Sequence, residues 1–391
     1  MNKERLIEVS LISIIVGGLA FPFVKERFLT NQDSLSDFIT NIINLGDKIG
    51  TKTPSDTLNG LFSKQAERES ITQYVTVESS TDSELAFVRY QFQSPFLPQG
   101  RLLDFRLLND TFWFAGNTGL VGFDLTSEEW FVYNKKNGLP GDTVYDLEIV
   151  NDELLVQANN WNDNGSLSHA GNYRFKGERF NKIDGSLETA EAGVYLSSKL
   201  TGLPDGVNDI IKFDGFMWTS FRGKHINRNV GFQGGGVAKL TPEGQLVKAY
   251  TDSDGLSHSY SYSMTAMQDK SLWLSHFREE RGLSVLLPNS SRWESIKKNI
   301  NDIELGGVRL GSINTVLVIG QQRGLVFYDT ISRQAYLMKE SMGLPGYIVT
   351  GIQTVGETVW VSAYSYAKGG NEQRSTGLIK FEYQDIAALF Q

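Results

Sequence analysis

Few residues in this 391-residue chain have the types and spacing that bond-making chemistry requires. The four histidines, His169, His225, His258 and His276, are not spaced as a helical metal pair, and cysteine is absent. Lack of cysteine excludes disulfides, thiolate metal sites and Cys nucleophiles. Asn160, Asn162, Asn164 and Gly165 resemble the start of a calcium loop, but its twelfth position is Gly171, where a bidentate carboxylate is needed. There is no Gly-x-Ser-x-Gly elbow, and Gly234-Gly235-Gly236 opens a strand pattern, whereas a phosphate cradle opens a helix. No metal or cofactor is therefore expected. What remains is recognition chemistry. Five segments, 159–170, 222–234, 276–281, 321–323 and 363–376, together hold eight Lys and Arg against four Asp and Glu. They also bring aromatic platforms. Trp161, Arg222, His225, Arg278, Arg323, Tyr364 and Tyr366 form the candidate ligand-binding set, because flat rings beside guanidinium forks suit a sugar, a carboxylate or an acidic protein surface. Solvated loops with incidental charge are the structural alternative.

A recurring unit must position these segments. Asn137-Gly138-Leu139-Pro140, Thr201-Gly202-Leu203-Pro204, Asp254-Gly255-Leu256 and Met342-Gly343-Leu344-Pro345 match one another, and their spacing predicts a degenerate copy near Asn299. After each junction come an alternating strand, a tight polar turn and an aromatic-rich strand. The second strand is marked at Trp113, Leu155, Trp218, Trp273, Leu317 and Trp360, so the unit recurs every 42 to 63 residues. Four strands in about 43 residues is the sequence signature of a propeller blade. The chain is thus expected to be all-β, a six-bladed β-propeller, with seven blades the alternative count. The last blade supplies only three strands, ending with Gly377–Glu382, so Leu85–Tyr90 is expected to pair there and close the ring. Composition agrees: 39 Gly, 9 Pro and 12% aromatic residues make a turn-rich β chain, and 40% hydrophobic residues suffice for a large core. A net charge of −8 argues against a nucleic-acid partner, since phosphate binding rests on clustered cations. The marker tryptophans are expected in the core. The turns between first and second strands are trimmed to two residues in nearly every unit. Function is therefore expected on the opposite face, which carries the five segments.

Trp113-Phe114-Ala115-Gly116-Asn117-Thr118-Gly119-Leu120, with Phe123-Asp124 and Asn137-Gly138-Leu139-Pro140, resembles the two-component regulator propeller repeat. The resemblance covers roughly residues 100–383 and is strongest in the first, fifth and sixth units. It implies an extracytoplasmic sensing domain, which in that family is usually fused to a histidine kinase. No kinase, response regulator or DNA-binding segment follows the repeat in this sequence, so the resemblance implies signalling through a partner.

Ahead of the repeat, residues 6–24 form an apolar run whose only charge is Glu8, flanked by Lys3 and Arg5. Residues 1–27 are expected to act as a membrane anchor. The alternatives are a signal segment cleaved after Gly18-Leu19-Ala20, leaving a secreted chain, or a buried helix. Residues 28–83 are expected to be a helical stalk or linker, with apolar spacing from Leu35 to Ile49 and from Leu58 to Ala66. The propeller is assigned to 84–391. Three functions fit: a membrane-tethered ligand-binding or sensory module facing the periplasm or exterior, a non-catalytic assembly subunit of an envelope complex, and a propeller hydrolase or lyase using loop histidines and carboxylates. The first is preferred and enzymatic activity is not expected. The partners are then the membrane through residues 6–24 and a small or acidic ligand or a protein.

Overall fold

The computed structural model describes residues 66–81, 84–93, 102–150, 152–163, 166–176, 178–183, 207–221, 224–227, 231–233, 235–277, 281–296, 299–365 and 375–391. The expected anchor and the stalk up to residue 65 lie outside them. Among the described residues no helix is long and apolar enough to cross a membrane.

Six antiparallel sheets form the blades of a propeller. From the innermost strand outward, blade one is Leu102–Leu108, Thr111–Gly116, Gly119–Asp124 and Trp130–Tyr133; blade two is Thr143–Val150, Glu153–Trp161, Leu167–Lys176 and Arg179–Ile183. Blade three is Val207–Phe213, Phe216–Phe221, Gly236–Leu240 and Leu246–Tyr250; blade four is Ser261–Ala266, Leu272–His276, Leu283–Leu286 and Glu294–Ile296. Blade five is Arg309–Ile313, Val316–Gly320, Leu325–Asp329 and Ala335–Met338; blade six takes Ile348–Val355, Thr358–Tyr364 and Thr376–Glu382 from the C-terminal end.

The ring closes as the sequence predicts. Phe87–Phe92 is the fourth strand of blade six, with Val88 opposite Lys380 and Gln91 opposite Gly377. Every second-strand marker is buried, from Leu317 at 0% to Trp113 at 9% exposed. The degenerate fifth junction keeps only its leucine: Leu305 is buried like Leu139, Leu256 and Leu344. At the glycine-led starts of third strands, Gly119 and Gly236 adopt φ of 129° and 154°, and a Cβ would collide with the carbonyl oxygens of Tyr133 and Tyr250. Only glycine lets the third strand start there. First and second strands are joined by turns such as Asn109-Asp110 and Asp214-Gly215, with φ positive at both residues. That geometry matches the strand twist and leaves one face of the disc short.

One region departs from the sequence reading. Residues 69–80 belonged to the expected helical stalk, yet Glu69–Ser70 and Val75–Ser80 are strands. Glu69 lies opposite Val132 on the outer edge of blade one, and Val75–Ser80 pairs in register with Phe87–Phe92 as a fifth strand of blade six. Just before them, fully buried Ala66 donates its amide to the Glu178 carbonyl of blade two. A girdle from Ala66 to Ser80 therefore binds the rims of blades two, one and six. The β-branched alternation Val75-Thr76-Val77 pairs along an available edge, which outweighs the weak helical spacing before it.

Blades six and one meet in an aromatic seam. Tyr90, Phe92, Phe105, Phe112, Phe114, Phe123, Trp130 and Trp360 form one buried cluster, with Phe123 and Trp130 stacked at 4.5 Å and Phe112 edge-on to Trp360 at 5.1 Å.

Candidate functional site

The untrimmed face carries the interblade junctions and the loops between second and third strands. Two features rise from it. In blade two the second and third strands outrun the first: Thr143 opens the first strand opposite Asn159, while Trp161 pairs further out with Leu167. In blade three an extra hairpin, Lys224–Asn227 with Gly231–Gln233, is inserted between second and third strands.

The blade-two crown is held by short polar contacts. The Trp161 amide donates to Asp142 Oδ2 at 2.9 Å, and Lys135 Nζ lies 3.0 Å from Asp142 Oδ1. Burial works against the Asp142 carboxylate, but the hydrogen bonds from Lys135 and the Trp161 amide outweigh it and hold its pKa below the ordinary carboxylate range. At the tip, Asn162 Nδ2 donates to Ser166 Oγ and Ser168 Oγ donates to Asn162 Oδ1, both at 2.9 Å. The Trp161 ring is left 41% exposed beside an equally open Leu167. Thr143 and Asn159 are buried below, and Thr143 Oγ1 and Asn159 Oδ1 have no hydrogen-bond partner.

Blade four presents a different corner. His276 ends the second strand, wholly buried, with Nε2 2.8 Å from Ser284 Oγ. Burial, then the nearby His258, depress its pKa to about 3, and the Tyr260 carbonyl only partly opposes this. The imidazole is neutral at physiological pH and is a packed core group. The His258 ring lies 6.4 Å from it, and nearby Tyr260, Tyr262 and Phe277 pack on one another, with Tyr260 and Phe277 4.8 Å apart and Arg281 over the Tyr260 ring.

Polar bridges join the innermost strands of neighbouring blades. Asp209 of blade three accepts from Met264 N at 2.7 Å and Ser263 Oγ at 3.1 Å of blade four. Its carboxyl is enclosed although other atoms of the residue meet solvent, and desolvation raises its pKa. Arg309 Nε of blade five donates to the Thr350 carbonyl of blade six at 2.6 Å, and Arg106 of blade one approaches Glu148 of blade two at 3.7 Å. The innermost strands of blades one to four and six each carry a register shift at their loop-face end. Such bulges re-aim side chains, and Asp146 and Asp209 follow them directly, each accepting the amide of the next residue at 2.9 Å. Among the described residues, no cluster of His, Asp and Glu could hold a metal ion.

Of the candidate set, Trp161 and Arg323 are exposed on the untrimmed face. Tyr364 is a correction: the second strand of blade six runs on through it, Gly346 packs on its backbone, and only 7% of it is exposed, so it offers no free platform. His225 lies on the blade-three hairpin. Arg222, Arg278 and Tyr366 fall outside the described residues. Sequence reasoning missed Thr143, Asn159 and Asp209, because cross-strand register sets Thr143 opposite Asn159 and a bulge aims Asp209 at blade four, and neither is written locally; Asp146 and Asp209, each beside an alternating strand start, were the available signal.

No family model matches the chain, and no curated protein matches it. Solved structures similar to it include the extracellular domain of a hybrid two-component system from B. thetaiotaomicron, 14% identical, covering 78% of this chain and 38% of that one at a TM-score of 0.41. Also similar are the calcium-binding protein regucalcin from Agrobacterium tumefaciens, at 15% identity, 69% and 85% coverage and TM-score 0.39, and YCF48 from Cyanidioschyzon merolae, at 13%, 82% and 100% and 0.35. The chain spans less than half the length of the two-component domain it matches. At such identities the likeness concerns the fold alone, and the six-bladed ring rests on its own strand pairing.

Proposed function

We propose that this protein is a ligand-binding, sensory propeller, tethered to a membrane through residues 6–24 and facing the periplasm or exterior. The observation that carries the reading is the contrast between the two faces. One is trimmed to tight turns, while the other raises the Trp161 crown and the blade-three hairpin from a rigid closed disc. Loops displayed on a stiff scaffold are where binding groups collect. The site comprises Trp161 and Arg323 with Arg222, His225, Arg278 and Tyr366 of the neighbouring loops, its cations drawing anionic or polar ligands to a net-acidic protein. Partner proteins then read the bound state and pass the signal on.

The test is to replace Arg222, Arg278 and Arg323 together by Ala in the full chain and screen ligands against both forms by calorimetry. Loss of ligand binding with unchanged recovery of co-purifying proteins from membranes supports sensing. Intact ligand binding with loss of one stoichiometric protein partner favours the assembly-subunit reading instead.

A further inference from the structure

We infer that the crown of blade two is a subsite for an uncharged, hydroxyl-bearing ring, a pyranose or similar polyol, distinct in chemistry from the arginines of the proposed site. The inference rests on the ligand-binding reading above and specifies what one part of that face takes. Side chains alternate along a strand, so Asn159 and Trp161 point to the same face of blade two. Register places Thr143 and His169 on either side of Asn159, and Leu167 beside Trp161. One face thus carries two rows: an apolar outer row, Trp161 and Leu167, both open to solvent, and a polar inner row, Thr143, Asn159 and His169.

The inner row has unspent hydrogen-bonding capacity. Thr143 is 1% and Asn159 7% exposed, yet Thr143 Oγ1 and Asn159 Oδ1 have no partner. A buried polar atom without a partner costs free energy, so native structures keep few of them, and two side by side beneath an open tryptophan call for a molecule that satisfies them. The chemistry selects it. A carbonyl oxygen such as Asn159 Oδ1 only accepts, so its partner must donate; the Thr143 hydroxyl takes either role. A carboxylate, phosphate or sulfate donates nothing. An alcohol does both, and the flat C–H face of a sugar ring stacks on an indole. Asp142 exerts little pull of its own, because it is engaged by Lys135 and by the Trp161 amide.

The experiment uses the full chain in a detergent without sugar headgroups, with saturation-transfer NMR and calorimetry against neutral monosaccharides and disaccharides, inositol, and their sulfated or carboxylated counterparts. Expected is binding of at least one neutral ring that is insensitive to salt between 50 and 500 mM and weakened about tenfold or more by Trp161→Ala. Thr143→Val provides an internal control. With no ligand it should leave the melting temperature unchanged or raise it, since an unpartnered hydroxyl becomes an isosteric methyl, while weakening the sugar. A fall in melting temperature means that a structural water already satisfies Thr143, and this overturns the inference. So does a wild type that binds none of the neutral rings. Binding of anionic ligands only, lost in the arginine variant and indifferent to Trp161→Ala, also overturns it while leaving the sensory reading intact.

Discussion

The seam between blades six and one and the seams among blades three, four and five all bury apolar clusters, but they differ in what the innermost strands add. Where the ends of the chain meet, the contact is made of rings: Tyr90 lies 5.2 Å from Phe123 and 6.0 Å from Trp360, and Gly351 is pressed against Phe105. Among blades three, four and five apolar clusters also cross the seams, with Trp218 against Trp293 and Trp273 against Tyr328, but their innermost strands add contacts between hydroxyls and carboxyls. Asp209 reaches Ser263, Ser312 Oγ meets Thr265 Oγ1 at 3.1 Å, and Ser220 Oγ donates to the Tyr262 carbonyl at 2.6 Å. The chain joins each blade to the next, leading from the outer strand of one to the inner strand of its neighbour, blade six to blade one included. Ring closure lies inside blade six, where Phe87–Phe92 pairs with the distant Thr376–Glu382, and burial of the aromatic cluster beside it, supplemented by the girdle from Ala66 to Ser80, must hold that closure. Non-directional burial is the stronger adhesive, and directional polar bonds fix geometry at smaller net gain.

The comparison can be broken at its strongest point first. Trp360→Ala should cost about 3–5 kcal/mol through the cavity it leaves, read by equilibrium urea unfolding; a loss below about 1 kcal/mol would show that the closing seam does not depend on its rings. Gly351→Val should follow, at about 1–3 kcal/mol, since the added atoms collide with Phe105. On the polar side, Asp209→Asn loses one of the acceptors used by Ile210, Ser263 and Met264 and should cost about 1–3 kcal/mol near pH 4. The sign of its pH dependence is fixed. With the native pKa raised, the folded state holds the proton longer, so wild-type stability falls as pH rises from the ordinary carboxylate value toward the raised one, and the variant lacks that fall. His276 works the other way. Its pKa of about 3 means that the native state resists protonation, so stability is full above about 6.5 and declines as pH drops toward 3, by up to ~1.4 kcal/mol per pH unit. His276→Gln should flatten that decline in thermal scans. Smallest is Ser312→Ala, at about 0.5–1.5 kcal/mol.

Much of this architecture is legible in the residues because a propeller repeats its arithmetic. The markers from Trp113 to Trp360 all fall in second strands, and the missing strand of blade six is traceable to Phe87–Phe92 because an unpaired edge demands a partner. The girdle is not legible in the same way, since Val75–Ser80 pairs with a strand rather than with a repeat. The binding face is legible as a face but less so residue by residue. Trp161 is open as its loop position suggests, whereas His276 and Tyr364 sit at strand ends that run deeper than their composition implies. The polar row beneath Trp161 depends on Thr143 standing opposite Asn159, a fact of register that no local stretch records.

The closing strand has a consequence for biosynthesis. Phe87–Phe92 leaves the ribosome long before its inner neighbour, Thr376–Glu382, with five blades made in between. Until then the aromatic side chains of Phe87–Phe92 have no completed seam to enter, and one backbone edge of that strand stays open to other nascent chains. Closure of the disc therefore waits for the third strand of blade six, and holdase chaperones should find this chain most often in the interval before Thr376–Glu382 has emerged.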